Sequence, residues 1–254
     1  MAFNKDSVAG TFIFSALLCL ICSFMITGTA EVLKERKLAK KRSEMKRYVL
    51  VAANIQGDNV NELFAERVQP LLINLNDGSV ASEDANTVLD FDDRMAAVNK
   101  ETSIKPKKDT AKIKRRANQA RVFKVIDDSG KLSSVVMPIH GKGLWSVIYG
   151  YIAVQPDFNT IEGIVISEHG ETPGLTDYLT TSEWTDTWKG KKIFNAKGKL
   201  KLKVVKGGAK PGDVHGVDGV SGATMSGRGV QRSVKFWFGK EGYQTFLNSL
   251  KTEA

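Results

Sequence analysis

The chain has 254 residues, 42% of them hydrophobic, and its 37 Lys and Arg against 28 Asp and Glu leave it at +9. That length and apolar content provide for one good core plus an appendage, and no internal repeat or low-complexity tract suggests an array or a polymer. The positive excess, which could point to nucleic acid or an anionic surface, sits mostly in two short stretches, so no nucleic-acid partner is expected.

After a tail at 1–6, residues 7–30 carry no charge and are dominated by Phe, Ile, Leu, Met and Cys. A bilayer core of ~30 Å needs roughly 20 such residues in a helix, so the length fits a transmembrane helix. The rival is a cleaved signal peptide, with Gly28, Thr29 and Ala30 as the small residues at its end. The run is longer than the usual apolar region of roughly 7–15 residues, and only Lys5 charges the leader. An uncleaved single-pass anchor is the better reading. Cys19 and Cys22 form a C-x-x-C inside this run. A redox pair needs an exposed, electropositive setting, so they read as small apolar helix residues, and no disulfide is expected.

Residues 31–120 read as a helical and basic connecting region with a short strand. Lys34, Arg36, Lys37, Lys40, Lys41, Arg42, Lys46 and Arg47 follow the span directly. By the positive-inside rule they place this flank in the cytoplasm. A helical piece around 60–67 precedes a strand at 71–75, and Asn76-Asp77-Gly78 signals a turn. Asp90, Asp92 and Asp93 read as a solvated acidic loop, with a cation site as the alternative. Residues 105–116 hold seven Lys and Arg and no aromatic. That argues against nucleic-acid binding and for an exposed basic loop or helix face.

A compact domain is expected over 121–254. Residues 122–126 and 132–139 pattern as a hairpin, and 147–154 and 160–167 as further strands. Strands in a run, not alternating with helices, predict an α+β fold with an antiparallel sheet and packed helices. Trp184 and Trp188, at i and i+4 after Thr181-Ser182-Glu183, predict one capped helix packed on the sheet. Residues 190–193 and 200–205 read as strand entries. Tyr243, Phe246, Leu247 and Leu250 predict a closing helix.

The densest signal is residues 218–230, Asp-Gly-Val-Ser-Gly-Ala-Thr-Met-Ser-Gly-Arg-Gly-Val. Val230, Val234, Trp237 and Phe238 then recur at helical spacing, so a glycine-rich loop feeds a helix. Such a junction gathers backbone N–H groups and the positive helix end at one spot suited to phosphate. Ser221, Thr224 and Ser226 offer hydroxyls beside it; a capped turn is the plainer alternative. His140, His169 and His215 lie far apart, and a zinc site needs a fourth ligand and a tighter pattern, so no metal is expected.

Asp218-Gly219-Val220-Ser221-Gly222-Ala223-Thr224 resembles the D-G-x-[ST]-G-A-T signature of proteins that carry covalent FMN. Gly141-Lys142-Gly143-Leu144-Trp145 and Glu171-Thr172-Pro173-Gly174-Leu175 match the same family, in the same order. The resemblance implies FMN esterified through its phosphate to Thr224, with Ser221, Gly222, Ala223 and Asp218 around it. Leu175 and Trp145 would flank the ring, Thr172 and the amides near Gly174, Thr176 and Gly222 would meet its polar edge, and Lys142 would stabilise anionic flavin. Within the family the single anchor, the long region after it and His215-Gly216-Val217-Asp218 resemble the C-subunit branch of bacterial Na+-translocating NADH:quinone reductases. The alternatives are the G-subunit branch of Rnf-type complexes and a flavin-free, membrane-anchored binding protein. The first implies a redox relay, not catalytic alone, in a complex that passes electrons from NADH to ubiquinone and exports Na+. It also implies partner subunits, a flavin transferase that attaches FMN from FAD, and a flavin domain on the periplasmic side of the bacterial inner membrane. That sidedness opposes the Lys/Arg bias, and the resemblance is followed.

Overall fold

The computed structural model describes residues 7–219 and 222–253. It divides into two units, one ending at Glu44 and the other starting at Met45. In the first, helix α1 (Val8–Val32) is capped by Ser7, whose Oγ accepts the Gly10 amide at 3.0 Å. Its best 18-residue window has a mean hydropathy of 2.3, long and apolar enough to cross a membrane. Phe12 and Phe24 are 73% and 81% exposed, as suits a helix whose surroundings are lipid rather than protein. Thr29 returns its hydroxyl to the Met25 carbonyl at 2.8 Å, which satisfies that group on an apolar surface. Cys19 and Cys22 are exposed, free thiols on this helix. After Leu33 the chain is helical again as α2 (Lys34–Ala52), whose solvated Lys40–Glu44 pair contributes little to stability.

The second unit begins within α2. It continues through α3 (Val60–Arg67), β1 (Val68–Asn74), β2 (Val80–Ser82), α4 (Ala85–Asp90), α5 (Asp93–Val98), β3 (Ser103–Ile104) and β4 (Arg116–Ala117). Then come β5 (Gln119–Ile126), β6 (Leu132–Lys142), β7 (Val147–Val154) and β8 (Ile161–Glu168). A 3₁₀ turn at Asp177–Thr180, α6 (Ser182–Thr185), a second 3₁₀ turn at Asp186–Trp188, β9 (Lys203–Lys206), β10 (Gly216–Gly219), α7 (Thr224–Trp237) and α8 (Gln244–Glu253) complete it.

The main sheet runs β2-β1-β5-β6-β7-β8 and is antiparallel throughout. Period-two alternation buries both of its faces. Val122, Val135, Met137, Ile152 and Val154 join a cluster with Trp184, Trp188 and the apolar faces of α7 and α8. Their neighbours Phe123, Val125, Val136, Tyr151 and Ala153 pack with Met45, Val49 and Leu50 of α2 and Phe64 of α3.

The antiparallel α+β expectation is met. Several details differ. β1 pairs with β5 along its whole length, Val68 opposite Val125 to Asn74 opposite Gln119, so the compact unit extends well upstream of a boundary near Arg121. β9 and β10 form a separate parallel pair, whereas 190–193 makes only an isolated bridge, Thr160 opposite Lys192. Trp184 and Trp188 fall in α6 and the following 3₁₀ turn, not one helix. The Thr181 hydroxyl donates to the Tyr178 carbonyl rather than capping. In the acidic stretch, Asp92 caps α5 through the Arg94 and Met95 amides, and Asp93 pairs with the guanidinium of Arg121. The basic stretch 105–116 is folded around Asp109, which accepts the Ile113 and Lys114 amides. Arg116 there is 2% exposed and donates to the Glu241 carbonyl at 2.7 Å.

Candidate functional site

At one end of the second unit, three loops enclose an open cleft of ≈ 220 Å³. The first follows β6 and brings Leu144 and Trp145; the second follows β8 and brings Glu171, Thr172, Leu175 and Thr176. The third leads into α7 and brings Gly222, Ala223, Thr224, Met225 and Ser226. Lys206, at the end of β9, completes the lining, opposite Gly219 in the parallel pair. All three sequence motifs therefore meet in space.

Thr224 is the first residue of the 14-residue α7, with Ala223 at the N-cap. The Ser226 and Gly227 amides already bond back to the Ala223 carbonyl at 3.2 and 3.3 Å. A helix start of this length carries a fractional positive charge, which falls beside the Thr224 side chain. Gly222, at φ 87°, takes the left-handed conformation that lets the chain turn into the helix.

The walls are apolar yet uncovered. Trp145 is 68% exposed, Leu175 58%, Met225 48% and Leu144 47%. Large apolar groups clustered around a helix N-terminus suit a ligand with a flat ring at one end and an anion at the other.

Glu171 joins the three loops. It is 4% exposed, and its carboxylate accepts the amides of Leu144 (2.9 Å), Trp145 (3.0 Å) and Ser146 (2.8 Å). The Ser146 hydroxyl adds a bond at 3.1 Å, and the Ser226 hydroxyl of α7 donates to the other oxygen. Burial pushes this carboxyl up, but the Ser226 hydroxyl and the amides of Ser146, Leu144 and Trp145 outweigh it and hold the pKa at about 2. Glu171 is thus a fixed anion that shapes the floor of the cleft.

The other expected site residues divide. Trp145, Thr172, Leu175, Thr176, Gly222, Ala223 and Thr224 line the cleft together. Lys142 does not; its ammonium donates to the Trp145 carbonyl within its own loop. Asp218 accepts the Ala209 amide at 2.7 Å on its carboxylate. The amides near the Pro-Gly turn are already used. Gly174 donates to Asp177 at 3.0 Å, and Thr176 sends both its amide (3.2 Å) and its hydroxyl (2.7 Å) to the Thr172 carbonyl. The turn closes on itself, so these groups shape the wall instead of facing a ligand's polar edge. Ser226 likewise gives its hydroxyl to the Glu171 carboxylate, not to a ligand phosphate. Ser221 lies outside the described residues. Residue pattern alone does not point to Glu171, Lys206, Leu144 or Met225. Glu171 and Leu144 stand inside the family motifs, but nothing in those motifs distinguishes a buried carboxylate from a solvated one.

The FMN-binding domain family matches residues 143–239, a stretch containing every cleft residue named above. The C subunit of the Na+-translocating NADH-quinone reductase of Haemophilus ducreyi is 41% identical over 99% of this chain and 98% of its own. The chain belongs to the family of these C subunits. Of the two branches the motifs suggested, it is therefore this one and not the Rnf G subunit. The C subunit of the Vibrio alginolyticus reductase is 39% identical over 99% of this chain and 98% of its own. Among solved structures, Shewanella oneidensis NqrC is 65% identical with a TM-score of 0.81, covering 84% of this chain and 99% of that one. The C subunit of the Parabacteroides distasonis reductase is 30% identical with a TM-score of 0.64, covering 84% and 96%. The antiparallel α+β fold is thus that of the family.

Proposed function

We propose that this chain is the membrane-anchored, FMN-carrying redox subunit of a Na+-translocating NADH-quinone reductase, and that FMN is joined through its phosphate to Thr224. One observation carries the site. Thr224 opens a long helix at the foot of a cleft whose walls are uncovered Trp145 and Leu175. The residues fit the group: the helix start suits a phosphate, Lys206 stands on the same lining, and the apolar walls suit a flat ring. When bound, FMN supplies one- and two-electron transfer.

The chain's own contribution is placement. A tether at Thr224 keeps the carrier at one distance from its neighbours, where a freely exchanging cofactor would have none fixed. Glu171 holds the loop bearing Trp145 against α7 from the start of the loop bearing Leu175. α1 anchors the chain to the membrane. The other members of the complex supply the NADH, quinone and Na+ sites, and a flavin transferase attaches the FMN. The second unit faces the periplasm on this reading, which follows family resemblance against the Lys/Arg bias of residues 34–47.

The test is the intact mass of denatured protein purified from its native membrane, beside Thr224→Ala. The wild type is expected to be heavier by one FMN less one water, and the variant is not. Equal, unmodified masses with the transferase present would overturn the attachment.

A further inference from the structure

Beneath the cleft runs a short aromatic series whose members the site has not used. Tyr178, in the 3₁₀ turn Asp177–Thr180, meets Trp184 edge-on at 5.6 Å between ring centroids, and Trp184 meets Trp188 in the same way at 5.3 Å. Trp184 is 3% exposed and Trp188 is fully buried. The two nearer rings also carry polar tips, and both tips reach the same short stretch of chain. The Tyr178 hydroxyl donates to the Ala223 carbonyl at 2.9 Å, and the Trp184 indole N–H donates to the Asp218 carbonyl at 2.8 Å. One bond falls at the residue preceding Thr224, the other where the chain leaves β10.

A third observation comes from α7 itself. Gly227 lies in its second turn, where glycine weakens a helix relative to alanine. A Cβ there would meet Val204 at 3.4 Å, the Tyr178 hydroxyl oxygen at 3.6 Å and the Trp184 ring at 3.9 Å. A methyl group fits in ordinary contact, with Val204, Tyr178 and Trp184 all within 3.9 Å of it. The helix thus comes down onto the same two aromatic residues that hold the chain before it.

We propose that Tyr178 and Trp184 are positioning residues, which grip the backbone at Asp218 and Ala223 and so present Thr224 to the incoming flavin in one orientation. The inference rests on Thr224 as the attachment residue. It assigns the aromatic pair a task beyond core packing. In attachment from FAD the Thr224 oxygen loses its proton and bonds to the FMN phosphorus as the pyrophosphate bond to the AMP leaving group breaks. One hydroxyl must therefore reach one phosphorus, and a displacement of about 1 Å is costly for such a step. The Tyr178 hydroxyl is suited to the grip because burial and the nearby Glu171 charge push its pKa up to about 12, keeping the proton it donates.

Tyr178→Phe keeps its ring in place and removes only the polar tip, whereas Trp184→Phe removes the indole N–H together with buried ring volume. The full-length variants are expressed in membranes containing the flavin transferase, and two quantities are read: the initial rate of FMN mass gain, and amide exchange over residues 222–225 in flavin-free protein. Each variant is expected to load about five-fold more slowly, the worth of one ordinary hydrogen bond, and to exchange faster, with melting temperature close to wild type in Tyr178→Phe and lowered in Trp184→Phe by the lost ring volume. Gly227→Leu, which wedges the helix off the pair, should reproduce both effects. Loading and exchange at wild-type rates in Tyr178→Phe would overturn the proposal. Should wild type gain no flavin mass while the variants still exchange faster, the grip stands and attachment at Thr224 falls.

Discussion

Glu171 and Asp93 are both carboxylates drawn into the second unit, and their charges are stabilised in different ways. Asp93 faces the guanidinium of Arg121, so charge cancels charge and α5 is fastened to β5. Glu171 faces amides and hydroxyls, with no cation bonded to it among the described residues. Its charge is stabilised but not cancelled, and its donors come from a loop and a helix that are far apart in sequence. An ion pair makes a joint between two elements. A carboxylate ringed by backbone donors dictates the shape of a loop and leaves a net negative charge beside whatever the loop binds. That difference places Asp93 in the scaffold and Glu171 in the site.

Glu171→Gln should separate the two most sharply. One carbonyl oxygen cannot serve the donors that two carboxylate oxygens served, and the new amide would point N–H at N–H. A loss of about 3–5 kcal/mol is expected, read from urea unfolding. The wild type should also show a pH signature that the variant lacks. Because the folded pKa of about 2 lies below the unfolded value, the Glu171 contribution is fully present above roughly pH 4.3 and disappears as pH falls toward 2. Unfolding curves between pH 5 and 2 should therefore converge for wild type and variant.

Asp93→Asn should cost less, about 2 kcal/mol, the worth of a hydrogen bond to a charged group, because the partly exposed pair keeps one amide oxygen facing Arg121. Thermal melts should register it while FMN loading stays at the wild-type level, since neither Asp93 nor Arg121 lines the cleft. A loading defect would collapse the distinction between scaffold and site. The smallest effect belongs to Gly227→Ala, which should stabilise by up to about 1 kcal/mol, because the added methyl group stays in ordinary contact with its neighbours.

Much of this was legible in the residues. The apolar run 147–154 matched β7 to the residue, and the strand expected at 71–75 falls on β1, which begins three residues earlier and ends at Asn74. Motif order brought Trp145, Leu175 and Thr224 to one site. What stayed hidden was long-range. Nothing local says that β1 pairs with β5 across some fifty residues, or that Glu171 in a Pro-Gly turn is buried beneath two loops. Trp184 at helical spacing read as packing alone, because an indole N–H shows its acceptor only in three dimensions. Lys142 read as a candidate for the flavin for the opposite reason: its partner, the carbonyl of Trp145, is a backbone atom that no residue pattern displays.

The pairing of β1 with β5 also determines where the chain can be cut. β5 lies between β1 and β6 in the sheet, so a fragment beginning near Arg121 would strip one side of an apolar strand and leave its amides and carbonyls open to a second copy. The stretch that matches the FMN-binding family, residues 143–239, is shorter still and lacks β1, β5 and β6 altogether. A fragment meant to stay dispersed in water has to start close to Met45, which makes the upstream region part of the flavin domain's protection against self-association.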